Sequence, residues 1–449
     1  MSNLLTESNH PPLYFVLAHY WMQLFPTPQG LVSLWGARSL AVMFGGLSIP
    51  ATYGLTWVAF RSPLVSHIAA AMMAVYPFSI FLAQEARHYT LSIFWVIASL
   101  ACLFTAIRHI YHRTKLPLGL TVCWILINAL GVASHYFFAL TLFMEAGVLI
   151  LLAWQIAKER EETILSLLQS PWKQIYLVAV GTMVAGLVWV PVFLQNSYGE
   201  KLTEWIQGDT SGFAWLSPIF QALAAWITMI SLLPVESSHL GVVITSSFVM
   251  IVFFIWAIPL LWHGIKTRLQ APETSYMTLV LISLILVAIA LFFIFTYFLG
   301  IDLTRGARYN FVYFPAVITL LAASLGVCRQ NSQGNMQRWG IGGKQAVLLI
   351  WLMGFFSFIT VVSNLAYQKY YRPELFVDLI QNTSNQPVII ATTHKTHVQI
   401  GEMMGIGREL KLTNSRLNPL FVLAHQGHNP QTSTNSLGCD SFSKTGSGT

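Results

Sequence analysis

Tyr276 to Leu299 reads YMTLVLISLILVAIALFFIFTYFL. These twenty-four residues carry no charge. As a helix rising about 1.5 Å per residue, the stretch outreaches the roughly 30 Å of bilayer hydrocarbon. Similar runs of about twenty residues lie on both sides of it. We read spans at 31–60, 64–84, 89–111, 117–136, 137–157, 175–194, 240–262, 276–299, 311–327 and 345–365. The first is over-long and is expected to include a surface segment before Arg38. The run 117–157 is too long for one helix, and Ser134-His135-Tyr136 is where it divides.

Composition agrees. The 449 residues are 55% hydrophobic and 9% charged, with mean hydropathy +0.61. A soluble domain carries roughly 25% charged residues. The chain is thus an all-α polytopic membrane protein of about ten spans, with lipid as its solvent. The net charge of +7 does not point to nucleic acid, because the basic residues stand in short loops between apolar runs. Cys102, Cys123, Cys328 and Cys439 form no paired framework, so a disulfide scaffold and a zinc ribbon are excluded.

Residues 217–233 are apolar but short, with Pro218 and Pro234 at their ends. Basic loops decide their status, since cytoplasmic loops collect Lys and Arg. If 217–233 does not cross, one side holds Arg61, Arg108, Arg113, Lys115, Lys158, Arg160, Lys173, Lys266, Arg268, Arg329, Arg338 and Lys344. The other, leaving aside the C-terminal region, holds only Arg87, Lys201, Arg305 and Arg308. A crossing would move the last two basic loops to the other side, and the asymmetry would largely vanish. The segment is therefore expected to be re-entrant or interfacial on the outer, extracytoplasmic face. Residues 13–25 read as a second interfacial helix within an outer segment, 1–30. The spans of 31–366 form the transmembrane domain. After them, 387–391 and 420–424 read as strands and 398–410 as a helix, a small α/β extracytoplasmic appendage over 367–428. Residues 429–449, rich in Ser, Thr, Asn and Gly, read as a disordered tail.

Three polar clusters fall on the outer side: His10-Pro11-Pro12-Leu13-Tyr14, Gln84-Glu85-Ala86-Arg87-His88-Tyr89, and Asp302-Leu303-Thr304-Arg305-Gly306-Ala307-Arg308-Tyr309. Charges at helix ends facing one membrane-level cavity are functional candidates. The second cluster is also readable as a polar hairpin turn with a local Glu85–Arg87 pair. Arg305 and Arg308 suit bidentate phosphate contacts, or snorkel to headgroups. His135 and Tyr136 stand at an outer helix end, where a satisfied core histidine is the plainer reading. A divalent metal near Glu85 and His88 is compatible with the sequence but not demanded by it. No Gly-rich phosphate loop and no Cys/His zinc spacing is present.

The order His-Pro-Pro-Leu-Tyr, a short aromatic helix, a span, Gln-Glu-Ala-Arg-x-Tyr, and a late Arg-x-x-Arg-Tyr before a span containing Pro315 resembles the C-type (GT-C) membrane glycosyltransferases. Family 39, the protein O-mannosyltransferases and the lipid A aminoarabinose transferase are the nearest in pattern, over about residues 9–365. The resemblance implies transfer of a sugar from a polyprenyl-phosphate donor to an acceptor hydroxyl of a lipid, glycan or protein. It places the active face outside the cell membrane. It implies Glu85 and Arg87 as catalytic, Arg305, Arg308 and Tyr309 as binding the donor phosphate, and His10, Tyr14, His88, Tyr89, His135 and Tyr136 as lining the cavity. It also implies an Asp before the His-Pro-Pro motif, after a first span. Only Glu7 precedes His10 as an acid, so we read the chain as N-terminally truncated. A transporter or lipid flippase, and a non-catalytic scaffold lacking that acid, are the alternative readings.

Overall fold

The computed structural model describes residues 10–27, 30–160, 171–195, 204–207, 212–330, 342–368, 371–383, 386–394, 397–413 and 419–425. The expected tail at 429–449 and Glu7 lie outside them. The chain divides into two units after Gln368.

The first unit is helical. The short α1 (Leu13–Met22) is followed by α2 (Leu34–Phe60), α3 (Pro63–Val75), α4 (Pro77–Ala83), α5 (Tyr89–Tyr111), α6 (Leu118–Ser134), α7 (Phe138–Arg160), α8 (Trp172–Leu187) and α9 (Val190–Gln195). Then come α10 (Ser217–Ile230), α11 (Leu240–Gln270), α12 (Pro272–Phe298), α13 (Phe314–Gln330) and α14 (Gly343–Val362). Seven of the expected spans coincide with helices long and apolar enough to cross a membrane: α2, α5, α7, α8 with its continuation, α11, α12 and α14. An eighth is the pair α3 and α4, bent by 53°. The bend follows from Pro77, which removes a backbone donor and forces Tyr76 to an extended ψ of 136°. The shorter apolar helices α6 and α13 complete the ten. Helix α2 runs unbroken from Leu34 through Arg38, so the expected surface segment stops earlier than read: Ser33 caps the helix by accepting from Gly36 N.

Residues 212–230 are also long and apolar enough to cross, yet they do not change ends. Asn128 meets Thr182, and Tyr136 lies by Trp189, so α8 runs beside α6 in the same direction. It finishes where α6 and α7 meet. Helix α11 starts at that end, because its partner α12 returns there. The described residues 204–207 and 212–239 between α9 and α11 therefore lie between two helix ends on one side of the bundle. Helix α10 packs there, on residues 303–312 and on α4.

Helix α13 is the centre. It is buried on nearly every face and packs on α3, α11, α12 and α14. A helix apolar all round is a core helix. Its contact with α11 is close enough that Ser324 Oγ donates to Leu261 O at 2.7 Å. Gly264 leaves the room for this: a Cβ there would run into Ser324.

The second unit holds α15 (Pro373–Thr383), β1 (Ile389–His394), α16 (His397–Leu412) and β2 (Leu420–His425). The two strands pair in parallel, Ile389 opposite Leu420, and α16 is the crossover that parallel pairing demands. Val377, Ile390, Met403, Ile406 and Leu410 make its small core. Helix α15 was not expected from the sequence, although Leu375, Phe376, Val377, Leu379 and Ile380 make it amphipathic.

Candidate active site

Five helix ends build the site: the starts of α1, α5, α7 and α13, and the end of α6. The turn 84–88 links α4 to α5, with His88 at the N-cap of α5. Glu85 is half-buried, Arg87 exposed, and His88 and Tyr89 buried. Among the described residues no ion pair joins Glu85 to Arg87, so the local pair of the plainer reading does not form. Instead Glu85 Oε2 is buried with no hydrogen-bond partner.

Residues 302–313 form the opposite wall as two short 3-10 turns, Leu303–Arg305 and Ala307–Val312. Asp302 caps the first, accepting from Thr304 N at 3.1 Å and Thr304 Oγ1 at 2.6 Å. Asn310 Nδ2 donates to Ala307 O at 2.9 Å, Tyr313 Oη to Asn310 Oδ1 at 2.6 Å, and Trp226 Nε1 to Tyr313 Oη at 2.7 Å. Helix α10 thereby braces the loop. Asp302 N also donates to Ile206 O at 2.6 Å, which draws in residues 204–207.

The two arginines of this loop part company. Arg305 turns to Trp205 O, at 2.9 Å, and to Asp302, at 3.3 Å. Arg308 lies over the Trp205 ring, 5.9 Å from its centroid, and faces Tyr89 and Glu85. Burial works against its charge, but those two groups outweigh it and hold the pKa above the ordinary value. Tyr309 packs 4.6 Å from Phe137; burial, with Tyr89 adding to it, pushes its phenol pKa up.

His10, His88 and His135 meet in one cluster, with Tyr14 and Tyr89 beside them. Burial, then Arg87 and Arg308, lowers His10 to about 4. Burial, followed by His135, His10 and the two arginines, puts His88 well below the usual histidine range. Burial and then His10 do the same to His135. All three are neutral imidazoles near pH 7. Burial pushes Tyr14 up to about 12.

Of the sequence candidates, the structure thus brings together Glu85, Arg87, His88, Tyr89, His10, Tyr14, His135, Arg308 and Tyr309. It sets Arg305 apart. Tyr136 points elsewhere: it lines a cavity of about 620 Å³ between α6, α7 and α8, walled by Trp124, Asn128, Glu145 and Thr182. Trp205 is a site residue that sequence reading missed. Its one signal is a tryptophan in a polar stretch between spans.

A carboxylate, two guanidiniums, three imidazoles and phenols thus gather at one end of the bundle. No protein-family model and no curated protein matches the chain. Solved structures do. The chain is similar to ArnT, the lipid A aminoarabinose transferase, from Cupriavidus metallidurans bound to undecaprenyl phosphate. The TM-score is 0.52 at 13% identity, over 91% of this chain and 79% of that one. The apo form of ArnT gives 0.52 and 12%, over 92% and 79%. The Archaeoglobus fulgidus oligosaccharyltransferase gives 0.48 and 14%, over 89% and 55%. The chain has the fold of the C-type membrane glycosyltransferases.

Proposed function

We propose that the protein is a membrane glycosyltransferase that moves a sugar from a polyprenyl-phosphate donor to an acceptor hydroxyl. The observation that carries this is the convergence of Glu85 and Arg87 with Arg308, more than 200 residues further along the chain, at one end of a C-type bundle. The acceptor oxygen attacks the anomeric carbon and gives its proton to Glu85. The carbon–oxygen bond to the donor phosphate breaks, and the electron pair leaves on the phosphate. Arg308 and Arg87 neutralise that growing charge, where positioned cations lower a barrier most. Tyr89 and Glu85 hold Arg308 in place, and Trp205 supplies the face on which it lies. The site works at the extracytoplasmic face of the cell membrane, on the side opposite the richly basic loops.

The test is transfer of label from a polyprenyl-phosphate sugar pool in proteoliposomes. Glu85→Gln, Arg87→Ala and Arg308→Ala are expected to lose it while folding normally. Full activity in Glu85→Gln and Arg308→Ala sinks the reading, as does substrate flux with no sugar transfer, which is the outcome for a transporter.

A further inference from the structure

His10 precedes α1, His88 starts α5 and His135 ends α6, yet their rings form one cluster. Centroids lie 4.4 Å apart for His10 and His88, 4.4 Å for His88 and His135, and 5.2 Å for His10 and His135. One ring nitrogen from each lies within 4.8 Å of the others. His88 and His135 are each 2% exposed, and the Nε2 atom of both is buried with no hydrogen-bond partner. An unpartnered buried nitrogen costs free energy that a phenylalanine or methionine in the same volume would not. Two such atoms at one spot, with a third imidazole against them, need a ligand to account for them.

We infer that His10, His88 and His135 are the protein ligands of a divalent transition-metal site, with Zn²⁺ the best-fitting ion. Imidazole nitrogen suits zinc and its neighbours, whereas Mg²⁺ and Ca²⁺ take oxygen. Three protein ligands with a fourth position open is the arrangement of zinc sites that bind an exogenous ligand. Zn–N bonds of about 2.1 Å set tetrahedral nitrogens about 3.4 Å apart, so the rings close by about an ångström on loading. His135 Nδ1 accepts from Phe137 N at 3.0 Å, which puts the ring proton on Nε2 in the metal-free protein. Coordination through Nε2 shifts that proton to Nδ1 and breaks this one backbone bond. The loss is small beside the coordination free energy of zinc. Among the described residues, Arg87 and Arg308 face the same cluster, and Glu85 is the carboxylate that faces Arg308. A dication added here leaves excess positive charge, so the open position favours an oxyanion, of which a phosphate oxygen is one. The site stands on these residues and does not depend on the transferase reading.

The experiment uses the full-length, untagged protein in detergent, stripped with a chelator and titrated with Zn²⁺ against a chromophoric competitor. One equivalent is expected to bind. His10→Ala, His88→Asn and His135→Asn are each expected to weaken it at least about 100-fold, since even supporting residues of metal sites are worth about 10–100-fold. A double variant of the exposed His19 and His239 is expected to bind as the parent does. Failure of the stripped protein to bind Zn²⁺ at micromolar concentration overturns the site, as does unchanged binding in the three cluster variants. Where a variant misfolds, X-ray absorption of the Zn²⁺-loaded parent decides. Three nitrogen neighbours at about 2.1 Å support the site, and fewer overturn it.

Discussion

Two polar knots are buried in this bundle, and they are built differently. In the middle of α5, α6 and α7, Ser99 Oγ lies 2.8 Å from Asn128 Oδ1 and 2.7 Å from Glu145 Oε1. It accepts from Trp124 Nε1 at 3.1 Å, while Asn128 Nδ2 donates to Thr182 Oγ1 at 3.0 Å. Each of these side chains has a partner. At the end of the same helices, Tyr14 Oη, Glu85 Oε2, His88 Nε2 and His135 Nε2 are buried without one. A satisfied polar knot holds helices in register, as interhelical hydrogen bonds do in lipid. An unsatisfied one is stable only because the surrounding packing imposes it, and it keeps its capacity for something bound.

That contrast is open to attack. The largest effect is expected at the end cluster. Glu85→Gln or Arg308→Ala should cut sugar transfer about 100-fold, about 2.7 kcal/mol of barrier, with the melting temperature nearly unchanged. If these variants unfold instead, the end cluster is structural and the contrast fails. Next is Ser99→Ala. Three interhelical contacts at about 0.6 kcal/mol each predict a loss of about 2 kcal/mol in stability, seen as a lower melting temperature with transfer per folded molecule intact. A drop in transfer without a drop in stability would move the mid-membrane knot into the functional class. Tyr313→Phe removes the hydroxyl that joins Trp226 to Asn310. It is expected to cost about 1 kcal/mol and to raise KM more than it lowers kcat, because it loosens the loop that carries Arg308. Arg305→Ala should do least, within about threefold in transfer, since an exposed ion pair is worth under about 1 kcal/mol. An Arg305 effect as large as that of Arg308 would show that the loop works through total charge, not through the one guanidinium facing Glu85.

Hydropathy made the spans legible, down to the division at Ser134-His135-Tyr136, because lipid allows few alternatives to a continuous helix. The short 217–233 was read through loop charge, and the helices that flank it, α8 and α11, end and start at one end of the bundle. Much of the site was also readable, since its residues stand at the ends of spans, where a polar residue next to lipid is conspicuous. What sequence did not separate is Arg305 from Arg308. They share a motif and lie three residues apart. Their fates are set by Asp302, which caps the turn and holds Arg305, and by Trp205, which arrives from a segment about a hundred residues away. The bend at Tyr76 and the helix Pro373–Thr383 escaped for different reasons. A proline inside an apolar run does not announce its angle, whereas the helix Pro373–Thr383 carries its signals, a starting Pro and Leu375, Phe376, Leu379 and Ile380 at helical spacing, within only eleven residues.

The distance along the chain between the two walls of the site has a consequence for biosynthesis. Glu85 and Arg87 leave the ribosome roughly 200 residues before Arg308. At roughly 5–20 residues per second, the first wall waits about 10 to 40 seconds for the second. During that interval the half-made bundle presents an uncovered carboxylate and a set of imidazoles at the bilayer edge. A nascent chain stalled between α8 and α11 would therefore be a natural substrate for membrane quality control, and completion of α13, the central helix, is the step that closes the window.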